Sequence, residues 1–121
     1  VLSSDDFVYV HVEAPDEASH SGEIEEKVKA LERFDSSVVK PVLEFLSGQD
    51  DFRILVCPDH PTLISTRTHD PSPVPFAVCG VGIPEGGSTS FSEAEAREGR
   101  FHLEQGWRLM SHLSGNSPWP V

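Results

Sequence analysis

Carboxylates and imidazoles occur in three tight groups along this chain, and their types suit a divalent metal. In chain order the groups are Asp16 with His20, Asp59 with His60, and His69. Carboxylate oxygen and imidazole nitrogen are ligands that both zinc and manganese accept. Taken singly, each group has an ordinary alternative: the Asp-x-x-x-His spacing arises by chance, Asp59 caps a turn, and His69 is a solvated loop residue.

Two apolar segments place the first two groups. Residues 7–12 read FVYVHV and residues 52–57 read FRILVC, and both runs are typical of strands buried on both faces. Between them, residues 22–46 carry apolar side chains at intervals of three and four, which predicts an amphipathic helix. Strand, helix and strand in this order predict a right-handed crossover and a parallel pair. Both ligand groups would then meet at one edge of the sheet.

Proline and glycine mark the remaining boundaries. Pro41 predicts a kink or break of the long helix near residues 39–40. Residues 61–75 contain four prolines, which predicts an irregular connection. Further elements are expected as a third strand at 76–83 running antiparallel, helical segments at 93–99 and 104–113, and a tail at 115–121. We therefore predict an α/β fold, a mixed β-sheet with flanking helices, over residues 1–114.

The chemistry expected of this site is phosphoryl or sulfuryl transfer. Two sets of ligands indicate two ions about 3.5–4 Å apart, which clamp the attacking and leaving oxygens of such a reaction. Arg67 is expected to pair with an anionic substrate, because a guanidinium matches phosphate geometry; an ion pair with a carboxylate is the alternative. Glu13 is placed to orient a ligand imidazole. No nearby side chain is an evident nucleophile.

Composition limits the partners. The 121 residues carry a formal net charge of −11, which argues against nucleic acid and anionic membranes as partners. No apolar stretch approaches a membrane span and no signal pattern is present, so a cytoplasmic protein is expected. Cys57 and Cys79 lie in apolar runs and are expected to be buried free thiols rather than a disulfide.

The motifs together resemble a known family. VYVHVEAPDEASH, RILVCPDHPT and RTHDPSPVPF, in this order, are similar to the final third of cofactor-independent phosphoglycerate mutase of the archaeal type, in the alkaline phosphatase superfamily. The resemblance covers nearly the whole chain. Two departures are Leu63, where the family usually has proline, and Ser19, where glycine often precedes the ligand histidine.

The resemblance implies a two-metal site, with manganese or zinc and no organic cofactor. It implies that Asp16, His20 and His69 hold one ion and that Asp59 and His60 hold the other. The nucleophilic serine of the family has no counterpart here, so no catalytic residue is assigned in this chain. The implied partners are a small phosphorylated substrate, phosphoglycerate, and the remainder of the same polypeptide.

Two other functions compete with a phosphoglycerate mutase. The first is another member of the alkaline phosphatase superfamily, a phosphodiesterase or a sulfatase-like hydrolase that uses the same ligands. The second is a non-catalytic domain that binds a transition metal or a protein partner.

Overall fold

Helices and two small antiparallel sheets make up this computed structural model, which describes residues 4–119 and is compatible with the α/β class. The elements are α1 (Ala14–Ser21), α2 (Ile24–Phe34), a π-helical turn (Asp35–Val39), α3 (Lys40–Leu46), β1 (Arg53–Val56), β2 (Thr62–Leu63), β3 (Thr68–His69), β4 (Ala77–Gly80), α4 (Glu93–Arg97), a 3₁₀ turn (Gly106–Arg108) and α5 (Leu109–Leu113). The chain divides into two units, one formed by Val1–Val42 with Thr62–Asp70 and the other by Leu43–Pro61 with Pro71–Val121.

The strand predicted at residues 7–12 is wrong. This segment forms no strand, and its large side chains Phe7, Tyr9, Val10 and Val12 are exposed. A strand is buried on both faces only when it has neighbouring strands in a sheet and when further layers of structure cover both faces of that sheet. Within residues 4–119, no strand pairs with this segment. The expected parallel pair is therefore also wrong.

Helix α1 forms where a helical turn was required for the first ligand pair. Pro15 lies in its first turn, where a missing N–H is tolerated, and Asp16 and Glu17 there favour the positive end of the helix dipole. Gly22 ends the helix with φ 79°, a left-handed conformation that favours glycine. Ser19 is fully buried and its hydroxyl donates to the carbonyl of Pro15.

The long helix predicted at residues 22–46 is present with one interruption. Helix α2, the π-helical turn and α3 follow one another without a break in helical conformation. In the π turn the N–H of Lys40 donates to the carbonyl of Asp35. The disturbance predicted before Pro41 is confirmed as a wider turn, because proline has no N–H and its ring crowds the carbonyl four residues earlier.

The second unit contains the sheet formed by β1 and β4. The presence of strands within residues 52–57 and 76–83 is confirmed, although β1 is half-buried rather than buried on both faces. The two strands pair antiparallel, with Arg53 opposite Gly80 and Val56 opposite Ala77. The guanidinium of Arg53 donates to the carbonyls of Val81 and Leu113, at 2.8 and 2.9 Å. Arg53 therefore links β1 to the last turn of α5, where a cation is favoured by the helix dipole.

Residues beyond α5 take part in packing. Trp119 is only 7% exposed and contacts the rings of Phe76, Phe101 and His112. The imidazole of His112 also bonds to the carbonyl of Pro118. The segment that we expected to be a tail thus supplies a buried aromatic residue; its last two residues, 120 and 121, lie outside the described part.

The connection at residues 61–75 is more regular than expected. It contains the hairpin formed by β2 and β3, in which Thr62 pairs with His69 and Leu63 with Thr68. The prolines at 71, 73 and 75 follow the hairpin, so they remove no hydrogen bond from it. His69 therefore lies on a strand rather than in an irregular loop.

Cys57 and Cys79 are free thiols as predicted, but both are exposed rather than buried. Partial burial nevertheless raises the pKa of each thiol, and the nearby Asp59 carboxylate raises that of Cys57 further. No helix within residues 4–119 has both the length and the apolar character needed to cross a membrane.

Gly80 is expected to be essential for the pairing of β1 with β4. Its φ is 121°, and a Cβ there would collide with the backbone of Phe52. We predict that Gly80→Ala lowers the free energy of unfolding by about 1–3 kcal/mol, measured by urea denaturation. Gly86→Ala is the matched control, because a Cβ at Gly86 meets no atom within 4 Å. Equal midpoints for the two variants would contradict this account.

Candidate metal centre

Three of the five predicted ligands converge in the first unit. Asp16 and His20 lie on one face of α1, and His69 lies on β3; one ligand atom from each lies within 4.8 Å of the others. The Nε2 atoms of His20 and His69 are 3.2 Å apart. Asp16 Oδ2 is 3.4 Å from His20 Nε2, and Asp16 Oδ1 is 3.7 Å from His69 Nε2. Residues 49 positions apart in the chain are thus brought into contact.

The imidazole of His20 has a fixed tautomer. Its Nδ1 lies 2.8 Å from the carbonyl oxygen of Arg67. Since a carbonyl only accepts hydrogen bonds, Nδ1 is the protonated nitrogen of a neutral ring and Nε2 carries the lone pair. This arrangement is the usual one for a metal-binding histidine, whose second nitrogen donates to a carbonyl or carboxylate.

The spacing of the three ligand atoms fits a single small cation. Bonds of about 2.0–2.1 Å around a tetrahedral ion place neighbouring ligand atoms about 3.3–3.4 Å apart. The 3.2 Å between the two Nε2 atoms lies close to this value, and the Asp16 carboxylate reaches both imidazoles, with Oδ2 3.4 Å from His20 and Oδ1 3.7 Å from His69. The three side chains are also between 38% and 55% exposed, so a fourth position remains accessible to water or substrate. Three protein ligands with an accessible fourth position are typical of a catalytic metal centre.

The hairpin of β2 and β3 contacts both α1 and α2. The Thr62 hydroxyl donates to Asp16 Oδ1 at 2.5 Å, and Thr62 is only 6% exposed. The Lys27 ammonium, on α2, donates to the Thr62 carbonyl at 3.0 Å. In the turn, the Arg67 N–H donates to the carbonyl of Leu63.

Arg67 contacts the site through its backbone. Its φ is 55°, which is unusual for a residue with a side chain, and this conformation accompanies the bond between its carbonyl and His20. Its guanidinium lies against Gly22 at the end of α1, so closely that a Cβ at Gly22 would be 2.7 Å from Arg67 Nε. The expected role of the guanidinium in binding an anion stays a prediction.

Asp59 and His60 form a local pair directly after β1, in the second unit. The N–H of His60 donates to Asp59 Oδ1 at 3.0 Å, and His60 Nε2 lies 3.5 Å from Asp59 Oδ2. Asp59 therefore makes the turn-capping contact that the sequence analysis gave as the alternative to metal binding. Its carboxylate remains 65% exposed. Binding of a second ion by this pair stays a prediction. Glu13, expected near a ligand imidazole, instead lies 3.9 Å from His11.

Comparison with known proteins agrees with a metal centre. The sequence pattern of the Metalloenzyme superfamily matches residues 2–114. The chain belongs to the Metalloenzyme superfamily. Membership of this superfamily and the convergence of Asp16, His20 and His69 together support divalent-metal binding.

The chain is similar to curated proteins named 2,3-bisphosphoglycerate-independent phosphoglycerate mutase. It is 46% identical over 113 residues to that of Methanothrix thermoacetophila and 49% identical over 114 residues to that of Methanosarcina mazei. A "probable" mutase of Geobacter sulfurreducens is 44% identical over 113 residues. Each match covers 93% of this chain but only 28–29% of the relative. The chain thus spans less than a third of the curated relatives it matches. No solved structure matches it significantly.

The sequence analysis did not identify two groups that contact the candidate ligands, the Thr62 hydroxyl and the Arg67 carbonyl. Thr62 stands in the CPDHPT motif, and its position beside Asp59 and His60 was a signal that a role should be sought. The Arg67 carbonyl had no signal, because any residue supplies a carbonyl and arginine does not favour a positive φ.

Removal of the His69 side chain is expected to prevent metal binding at the candidate metal centre. With only Asp16 and His20 remaining, we predict that His69→Ala lowers the affinity for Zn²⁺ or Mn²⁺ by at least about 100-fold, beyond the range for residues that only support ligands. Isothermal titration of chelator-stripped protein measures this affinity. The control is His102→Ala, because the His102 imidazole bonds to the carbonyl of Gly99 instead. Retention of wild-type affinity by His69→Ala would refute the assignment.

Proposed function

We propose that this chain is the C-terminal metal-binding part of a phosphoglycerate mutase that interconverts 2- and 3-phosphoglycerate. The observation that carries the proposal is the convergence of Asp16, His20 and His69 in a chain 46% identical to a named mutase of this kind. The nucleophilic serine, through which a phosphoserine intermediate forms, lies outside this chain. The fold proposed for the whole protein is an alkaline-phosphatase-like core.

The proposed centre holds two divalent ions, manganese or zinc, without an organic cofactor. Asp16, His20 and His69 would hold the first ion, and Asp59 and His60 would contribute to the second. Bound divalent ions supply charge neutralisation and polarisation of the phosphoryl oxygens in reactions of this class. The substrate is phosphoglycerate, and the remainder of the polypeptide provides its further contacts.

The residues of this chain give the centre a suitable charge. One carboxylate and two neutral imidazoles around a divalent cation leave a net charge of about +1. A positive centre is needed because the chain as a whole carries −11 and would otherwise repel a phosphorylated acid. The bond from His20 Nδ1 to the Arg67 carbonyl leaves Nε2 directed at His69.

The named relatives favour a mutase over the alternatives. All three relatives described above carry that name, and none is named as a phosphodiesterase or a sulfatase. A non-catalytic domain is disfavoured because the chain belongs to a superfamily named for enzymes.

The full-length protein tests the proposed function. We predict that it converts 3-phosphoglycerate to 2-phosphoglycerate without added 2,3-bisphosphoglycerate, and that His69→Ala lowers kcat/KM by at least about 100-fold while His102→Ala retains it. A coupled enolase assay measures the conversion. Release of inorganic phosphate without isomerisation would indicate a hydrolase and overturn the proposal.

A substitution at Arg67 separates its two contacts. Glycine adopts a positive φ readily and keeps the carbonyl that accepts the His20 hydrogen bond, but it removes the guanidinium. We predict that Arg67→Gly in the full-length protein leaves metal affinity within about threefold of wild type and raises KM for 3-phosphoglycerate by about tenfold or more. An unchanged KM would show that the guanidinium does not bind substrate.

A further inference from the structure

We infer that Thr62 is a positioning residue, one that sets the orientation of the Asp16 carboxylate against His69. This inference concerns the centre of the proposed function, but it rests on contacts within the first unit. Thr62 is not a ligand itself. It contacts one ligand through its side chain and lies opposite another in the hairpin.

The side-chain contact restrains a group that otherwise turns freely. The terminal torsion of an aspartate is broad, so a half-exposed carboxylate has no strongly preferred orientation of its own. The hydroxyl of Thr62 donates to Asp16 Oδ1 at 2.5 Å, within the range of a charge-assisted O–H···O⁻ bond. With Oδ1 engaged in this way, Oδ2 is the oxygen 3.4 Å from His20 Nε2.

The position in the hairpin relates Thr62 to His69. The two residues are directly paired in the antiparallel ladder, and paired residues present their side chains on the same face. The Thr62 hydroxyl and the His69 imidazole therefore lie side by side, one directed to Asp16 Oδ1 and the other 3.7 Å from the same oxygen. The hairpin thus sets the distance between a ligand of α1 and the ligand of β3.

A third contact fixes the backbone of Thr62. Lys27 Nζ, on α2, donates to its carbonyl at 3.0 Å. Because Thr62 is 6% exposed, both its hydroxyl and its carbonyl need partners within the protein, and Asp16 and Lys27 provide them. We therefore expect Lys27 to influence the metal centre through the backbone of Thr62.

The test measures Co²⁺ binding by the full-length protein after removal of its metal, using the visible absorption of Co²⁺ to report its coordination geometry. Thr62→Val keeps the shape of the side chain and removes the donor. We expect it to lower Co²⁺ affinity by about 10–100-fold and to change the absorption spectrum. Thr62→Ser, which restores the hydroxyl, should remain within about threefold of wild type.

Thr68→Val is the matched control, because Thr68 is an exposed threonine on the other strand of the same hairpin. It should bind Co²⁺ like wild type. Wild-type affinity and spectrum in Thr62→Val would overturn the inference. An equal loss in Thr68→Val would also overturn it, because the loss would then reflect general damage to the hairpin.

A second pair of variants tests the role of Thr62 if Thr62→Val does not fold. Lys27→Met should lower Co²⁺ affinity by about threefold or more, since it releases the Thr62 carbonyl. Lys29→Met, on the same helix, removes only an exposed pair with Glu26 and should have no effect. Identical affinities for these two variants would overturn the inference. Co²⁺ binding is measured without turnover. A failure of the mutase assay would therefore overturn the proposed function without deciding the role of Thr62.

Discussion

The candidate centre depends on one hydrogen bond, from His20 Nδ1 to the carbonyl of Arg67. An imidazole has two nitrogens, and this bond decides which of them remains available as a ligand. It also joins α1 to the turn between β2 and β3, since the carbonyl belongs to the turn and the ring to the helix. The left-handed backbone of Arg67 and the left-handed Gly22, against which the Arg67 side chain lies, are the local conditions for that bond.

The centre combines a rigid local motif with a distant one. Asp16 and His20 lie one turn apart on a helix of eight residues, and their four-residue interval places them on one face of it. His69 comes from a hairpin with strands of only two residues, too short to be stable alone. The hairpin is held by side chains instead, through the bonds of Thr62 and Lys27. Ligand geometry and hairpin stability therefore rely on the same few contacts.

The sequence predicted the features that are governed by local spacing. The four-residue interval between Asp16 and His20, the apolar run of β1 and the disturbance before Pro41 all depend on neighbouring residues, and all are present. Residues 7–12 show the limit of this reasoning, because apolar character indicates burial only when other strands are available to pair. The contacts of Thr62 depend on the path of a turn that contains a positive φ at arginine, for which sequence offers no marker.

The burial of Trp119 was not predicted, for a different reason. Residues 115–121 were expected to be a tail, and that expectation gave no reason to predict burial. A large aromatic side chain gains more from burial than an irregular backbone costs, since tryptophan buries roughly 150–250 Å². The ring accordingly packs on Phe76, Phe101 and His112 although no regular element contains it.

The π-helical turn at Asp35–Val39 relates the number of residues in the long helix to the presence of Pro41. A π turn accommodates one more residue than an α turn, and here it lies just before Pro41. A uniform α-helix would bring the proline ring against the carbonyl of Ser37. The extra residue and the proline should therefore be gained or lost together in evolution: homologues that lack a proline at this position should also have a helix one residue shorter.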